Sequence, residues 1–153
     1  MKIKKWHGIL LFFLLSWPAG AQQQKTNGYV GSASCQSCHK TEYKAFLNHA
    51  RKSRSFESVE KMKKGLTDDE IMRCYGCHTT AYGKPGGFTN PEQTPELKNA
   101  GCEVCHGPGK LHVNTQDPAQ IIRNVTIDIC RNCHTEDRVS AFRYKPTIYA
   151  GSH

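Results

Sequence analysis

Hydrophobic positions in this chain are few and bunched. The densest run, residues 9–15, follows Lys2, Lys4 and Lys5 and is broken by Pro18, with Ala19-Gly20-Ala21 beyond it. A positive start, a short apolar run and a small-x-small step make a secretory leader. A membrane anchor is the other reading, but spanning a bilayer takes about 20 apolar residues and this run is shorter. Cleavage is expected after Ala21, giving a leader over residues 1–21 and one domain over residues 22–153. No later segment is apolar enough to cross a membrane.

Beyond a flexible lead-in over residues 22–33, the polar chain shows helical rather than alternating periodicity. Tyr43, Phe46, Leu47 and Ala50 fall on one helical face. Thr67-Asp68-Asp69-Glu70 has the form of a capping box and predicts a short helix running into Cys74. Residues 81–95, with Gly83, Pro85, Gly86, Gly87, Pro91 and Pro95, predict a long loop whose glycines allow close backbone approach. Thr94-Pro95 opens a short helix to Ala100, and Asp117-Pro118 repeats the device ahead of a helix leading to Cys130. No strand is signalled. The expected fold is mostly α and loop-rich.

A chain this polar buries little surface by itself, so something else must fill its core. Its formal charge is +8, of which the leader's Lys2, Lys4 and Lys5 supply three. A basic chain invites a nucleic-acid reading, but an exported protein meets little nucleic acid. Arg51, Lys52, Arg54, Lys61, Lys63 and Lys64 concentrate the charge, either as a solvated face or as a docking patch for an acidic partner.

All eight cysteines fall into four pairs, each followed at once by histidine: Cys35-x-x-Cys38-His39, Cys74-x-x-Cys77-His78, Cys102-x-x-Cys105-His106 and Cys130-x-x-Cys133-His134. This is the attachment motif of c-type haem. One turn of backbone sets two thiols against the two vinyl positions of a porphyrin edge, and the next residue turns its imidazole under the iron. Zinc ribbons or a disulfide framework use paired cysteines too, but neither needs histidine directly after the second cysteine. The expectation is four covalent c-type haems filling the core of a compact multihaem cytochrome c, and an apo-protein that is largely unfolded.

Beyond the leader's His7 and the four proximal histidines, His49, His112 and His153 remain as distal ligands. If all three serve, three haems are bis-histidine and one is open. His112 follows His106 too closely to wrap around the same macrocycle, because six residues extend at most about 20 Å. His49 is carried away from the first iron by a helical rise of about 15 Å over ten residues. Each is therefore expected to cap another motif's haem. Met72 lies too close to Cys74 to reach over that haem, and Met62 reads as a packing residue, so an open or water-bound site is favoured over methionine.

These motifs resemble the cytochrome c-554 family, whose members are periplasmic tetrahaem c-type cytochromes. The more specific parts are Tyr29-Val30-Gly31 before the first motif and Gly107-Pro108-Gly109 followed by His112. An early helix carrying His49 and an aromatic tail ending in His153 complete the likeness. The resemblance implies that His112 caps the haem of His39, His49 that of His134 and His153 that of His106, leaving the haem of His78 five-coordinate. It also implies haem pairs stacked for fast electron hopping, and periplasmic redox partners: a hydroxylamine-oxidoreductase-like donor and a further cytochrome as acceptor. The leading function is electron transfer. The alternative is a small reductase acting on nitric oxide, nitrite or hydroxylamine at the open haem, and a third class is a haem-holding subunit of a larger complex.

Overall fold

Thr67 and Glu70 close on each other as the sequence predicts. In the computed structural model, which describes residues 28–135 and 138, the Thr67 hydroxyl accepts from the Glu70 amide and the Glu70 carboxylate accepts from the Thr67 amide at 2.8 Å. The box starts Asp68–His78 (here α3), which runs past Cys74 through the whole second motif. The Thr67 hydrogen bonds hold the Glu70 carboxyl below its ordinary value of 4.5. The box's contribution is therefore complete above pH 4.5 and lost as the pH falls through the lowered folded value. Thr67→Ala is expected to lower the melting temperature by a few degrees at pH 7. That difference should shrink towards pH 3, as thermal melts at the two pH values would show.

The other helices are Lys40–His49 (α1), Phe56–Met62 (α2), Cys102–His106 (α4), Lys110–Thr115 (α5) and Ile127–Arg131 (α6). Short 3-10 turns join them, and among the described residues there is no strand. Phe46 and Ala50 bury the inner face of α1, whereas Leu47 is 45 % exposed. It sits at the edge of a stripe narrower than the periodicity predicts. Pro95 opens a single turn, Pro95–Leu97, rather than a helix to Ala100, and Asp117 caps Pro118–Gln120 by accepting from the Ala119 amide.

A small protein core lies under the second motif. Phe56 and Val59 of α2 pack on Ile71 of α3 and on Phe88 and Leu97, with Tyr75 stacked on Phe56 at 5.8 Å. Phe88 enters because the predicted loop doubles back: the Thr80 carbonyl accepts from the Phe88 amide and the Leu97 carbonyl from the Thr80 amide, both at 2.9 Å. A Cβ at Gly87 would stand 1.9 Å from the Ala81 carbonyl oxygen, so this reversal requires glycine. The loop's glycines serve the reversal and line neither of the two cysteine clefts described below. Met62, expected to pack, is 60 % exposed. Among the described residues no helix is long and apolar enough to cross a membrane. The leader, residues 1–21, and His153 lie outside the described residues.

Candidate haem-binding clefts

Each motif is a single tight turn. The His39 amide donates to the Cys35 carbonyl and the His134 amide to the Cys130 carbonyl, each at 2.9 Å. The second and third motifs make the same turn inside α3 and α4. Both cysteines and the histidine of a motif thus project from one patch of backbone. None of the eight cysteines is joined to another in a disulfide, and among the described residues no group of three or more His, Cys, Asp or Glu side chains is placed to hold a bare metal ion.

The motifs are brought together in pairs. One cleft, of about 570 Å³, is lined by Cys74, Cys77 and His78 from the second motif and Cys130, Cys133 and His134 from the fourth, with Cys105 between them. The other, of about 310 Å³, holds Cys35 and His39 from the first, Cys102 and His106 from the third, and His112. Tyr43, Phe46, Val113, Ile121 and Ile122 give the second cleft apolar walls.

Sulfur contacts mark where paired motifs touch. A hydrogen bond with Cys102, and burial, hold the Cys35 thiol far above the usual range, and the same bond draws Cys102 down to about 6. Burial, then a hydrogen bond with Cys77, pushes Cys133 up to about 12. Thioether formation removes these titrations, but the adjacency remains. Lys52 lines the first of these clefts, its ammonium 4.0 Å from Cys105 Sγ.

The histidines are set for ligation. His78 Nδ1 lies 2.8 Å from the Ser55 carbonyl, His106 Nδ1 2.6 Å from that of Ile122, and His112 Nδ1 3.0 Å from that of Asp117. A carbonyl only accepts, so each Nδ1 carries the hydrogen and each Nε2 keeps its lone pair for a metal. Burial, and then Lys52, lower the His134 pKa, which favours its neutral form. The His39 and His112 rings stand with centroids 6.1 Å apart, tilted by 32°. Two imidazoles on opposite sides of one iron need about 6 Å, from a metal–nitrogen bond of about 2 Å and roughly 1 Å more to each ring centre. The residues therefore fit covalent haem, and the gap between these two rings fits an iron.

The scan against known families matches residues 34–107 to the family described as cytochrome c554 and c-prime. Cytochrome c-554 of Nitrosomonas europaea is 32 % identical over 122 residues, an alignment covering 72 % of this chain and 51 % of that protein. The chain belongs to the cytochrome c-554 family. It spans about half the length of that curated relative, and no solved structure matches it. Membership of this family agrees with the four c-type haem attachment motifs of the chain.

The remaining sequence-predicted ligand among the described residues, His49, ends α1 in an exposed position. It lines a shallow groove with Lys40, Lys44 and Asn48, apart from both cysteine clefts. Four residues of consequence escape sequence reading. Ser55, Asp117 and Ile122 act through main-chain carbonyls, which carry no residue signature. Glu103 does give a signal, as a carboxylate inside a motif that must face a macrocycle. It is 3 % exposed and accepts from the amides of Val30, Gly31 and Gly109.

Proposed function

We propose that this cytochrome c-554 family member is a periplasmic electron carrier. Residues 1–21 are a cleaved leader, and residues 22–153 hold four c-type haems. The observation that carries the reading is the pairing of attachment motifs, first with third and second with fourth, around two neighbouring clefts. Cys35 and Cys38, Cys74 and Cys77, Cys102 and Cys105, and Cys130 and Cys133 form the thioethers. His39, His78, His106 and His134 are the proximal ligands. His112 caps the haem of His39, a role the 6.1 Å ring separation supports. His49 and His153 cap the haems of His134 and His106, and the haem of His78 stays open. Haem held on these residues would supply one-electron redox chemistry. The protein's part is to hold the irons close, keep water from them and present a docking surface. Its partners are periplasmic redox proteins, a hydroxylamine-oxidoreductase-like donor and a further cytochrome acceptor.

A reductase acting on nitric oxide, nitrite or hydroxylamine at the haem of His78 is the second reading. The cleft wall favours anions: Arg51, Lys52, Arg73 and Arg138 line it, with no carboxylate among the described residues lining it. Haem propionates account for the same cations, so electron transfer stays first. Pyridine haemochrome analysis is expected to give four haems per chain, as the motif count requires. Low-temperature paramagnetic resonance of the oxidised protein is expected to show low-spin haems with one high-spin haem. Four low-spin haems would refute the open site. Rapid turnover of nitric oxide or hydroxylamine by purified protein with a simple reductant would reverse the ranking.

A further inference from the structure

We propose that Ser55 is a positioning residue for His78, aiming its imidazole and tying it to the strand of chain that enters the third motif. This rests on His78 being an iron ligand. Ser55 grips the histidine twice. Its carbonyl accepts the His78 Nδ1 hydrogen at 2.8 Å, and its hydroxyl donates to the His78 carbonyl, also at 2.8 Å. The hydroxyl is itself pinned, accepting from the Ala100 amide at 2.9 Å. The adjoining amide of Phe56 donates to Asn99 Oδ1 at 3.0 Å. Thr80 completes the link: its hydroxyl donates to the Asn99 carbonyl at 2.7 Å and accepts from the Gly101 amide at 3.0 Å. Gly101 directly precedes Cys102, so the His78 ring and the third attachment site share one hydrogen-bonded frame.

His106 shows the same grip built another way. Ile122 holds that ring with its carbonyl at 2.6 Å and the His106 carbonyl with its own amide at 3.0 Å. There the main chain supplies both contacts. At His78 a side-chain hydroxyl supplies the second, so the grip on this one proximal histidine can be altered by substitution. The chemistry follows from the acceptor: the more firmly Nδ1–H is held by a carbonyl, the more basic Nε2 becomes towards the metal. A more basic ligand favours the ferric state and lowers the reduction potential. An alanine keeps the Ser55 carbonyl but loses both bonds that aim it.

The test uses the full haem-loaded protein with Ser55→Ala and Ser55→Thr, read by resonance Raman of the ferrous iron–imidazole stretch and by spectroelectrochemical titration. Ser55→Ala is expected to move the stretch to lower frequency and one midpoint potential to a more positive value, with the haem count unchanged. Ser55→Thr, which keeps the hydroxyl, should hold both at the parent values. A Ser55→Ala protein with the parent stretch and potentials would overturn the proposal, as would a Thr variant displaced as far as the Ala variant. Absence of any iron–imidazole band in the parent protein would sink the open-site reading instead, and the shift in one midpoint would still decide the role of Ser55. Should Ser55→Ala fail to accumulate, Asn99→Ala releases the neighbouring Phe56 amide from the same frame. It is expected to shift the same midpoint in the same direction, and an unchanged midpoint would overturn the proposal.

Discussion

His112→Ala is expected to turn one low-spin haem high-spin. The side chain stands across from His39 at the separation an intervening iron demands, and it is held there from behind. Its Nδ1 hydrogen goes to the Asp117 carbonyl at 3.0 Å. Asp117 is in turn fixed, because its side chain accepts from the Ala119 amide at 2.9 Å and its amide donates to the Thr115 hydroxyl at 3.3 Å. These bonds spare α5 the entropy of finding the ligand pose, so removal of the imidazole loses a pre-aimed ligand. Paramagnetic resonance of the oxidised variant should lose one low-spin signal and gain about one equivalent of high-spin haem per chain. Carbon monoxide binding by the reduced variant should rise by about one equivalent for the same reason. Four covalent haems should remain, because His112 lies outside every attachment motif. Unchanged spectra would remove His112 from the ligand set.

What sequence could foretell here divides along a physical line. Local rules were readable: the four C-x-x-C-H turns, the Thr67–Glu70 box, the Asp117-Pro118 start and the inner face of α1 at Phe46 and Ala50 all rest on contacts a few residues apart. The family resemblance, carried by Tyr29-Val30-Gly31 and Gly107-Pro108-Gly109 with His112, supplied the pairing of His112 with His39 that spacing alone left open. The contacts behind the ligands were not readable. Ser55 and His78 are 23 residues apart, and His106 and Ile122 are 16 apart. Their acceptors are carbonyls that every residue owns. The return of Phe88 into the core was hidden for another reason: a segment dense in glycine and proline reads as loop whether or not one of its residues is an anchor. α5 was missed because its single exposed turn and a half, Lys110–Thr115, has too few apolar positions to show a period.

Glu103→Ala should cost more stability than any exposed substitution in the described residues. The side chain is 3 % exposed, and no ion pair to it occurs among the described residues. Its charge is balanced by amide hydrogens: Val30 at 3.0 and 3.1 Å, Gly31 at 2.7 Å and Gly109 at 2.7 Å. Truncation strands these donors where water has little room, and each buried donor left unmet costs about 1–3 kcal/mol. Partial relaxation keeps the sum below the simple total, so a loss of about 3–5 kcal/mol is expected. That is a large part of the roughly 5–15 kcal/mol by which domains are stable. Gln keeps the length and one acceptor but turns an amide donor towards Gly31 or Gly109, and it should fall between Ala and the parent in chemical denaturation. The loss should also reach the ligands. Gly109 immediately precedes α5, and Val30 and Gly31 lead into the first motif, so Glu103 fixes both walls between which His39 and His112 face each other. A Glu103→Ala protein should therefore lose low-spin signal from that haem in the folded state at low denaturant, whereas a substitution that merely lowered stability would leave it intact until unfolding began.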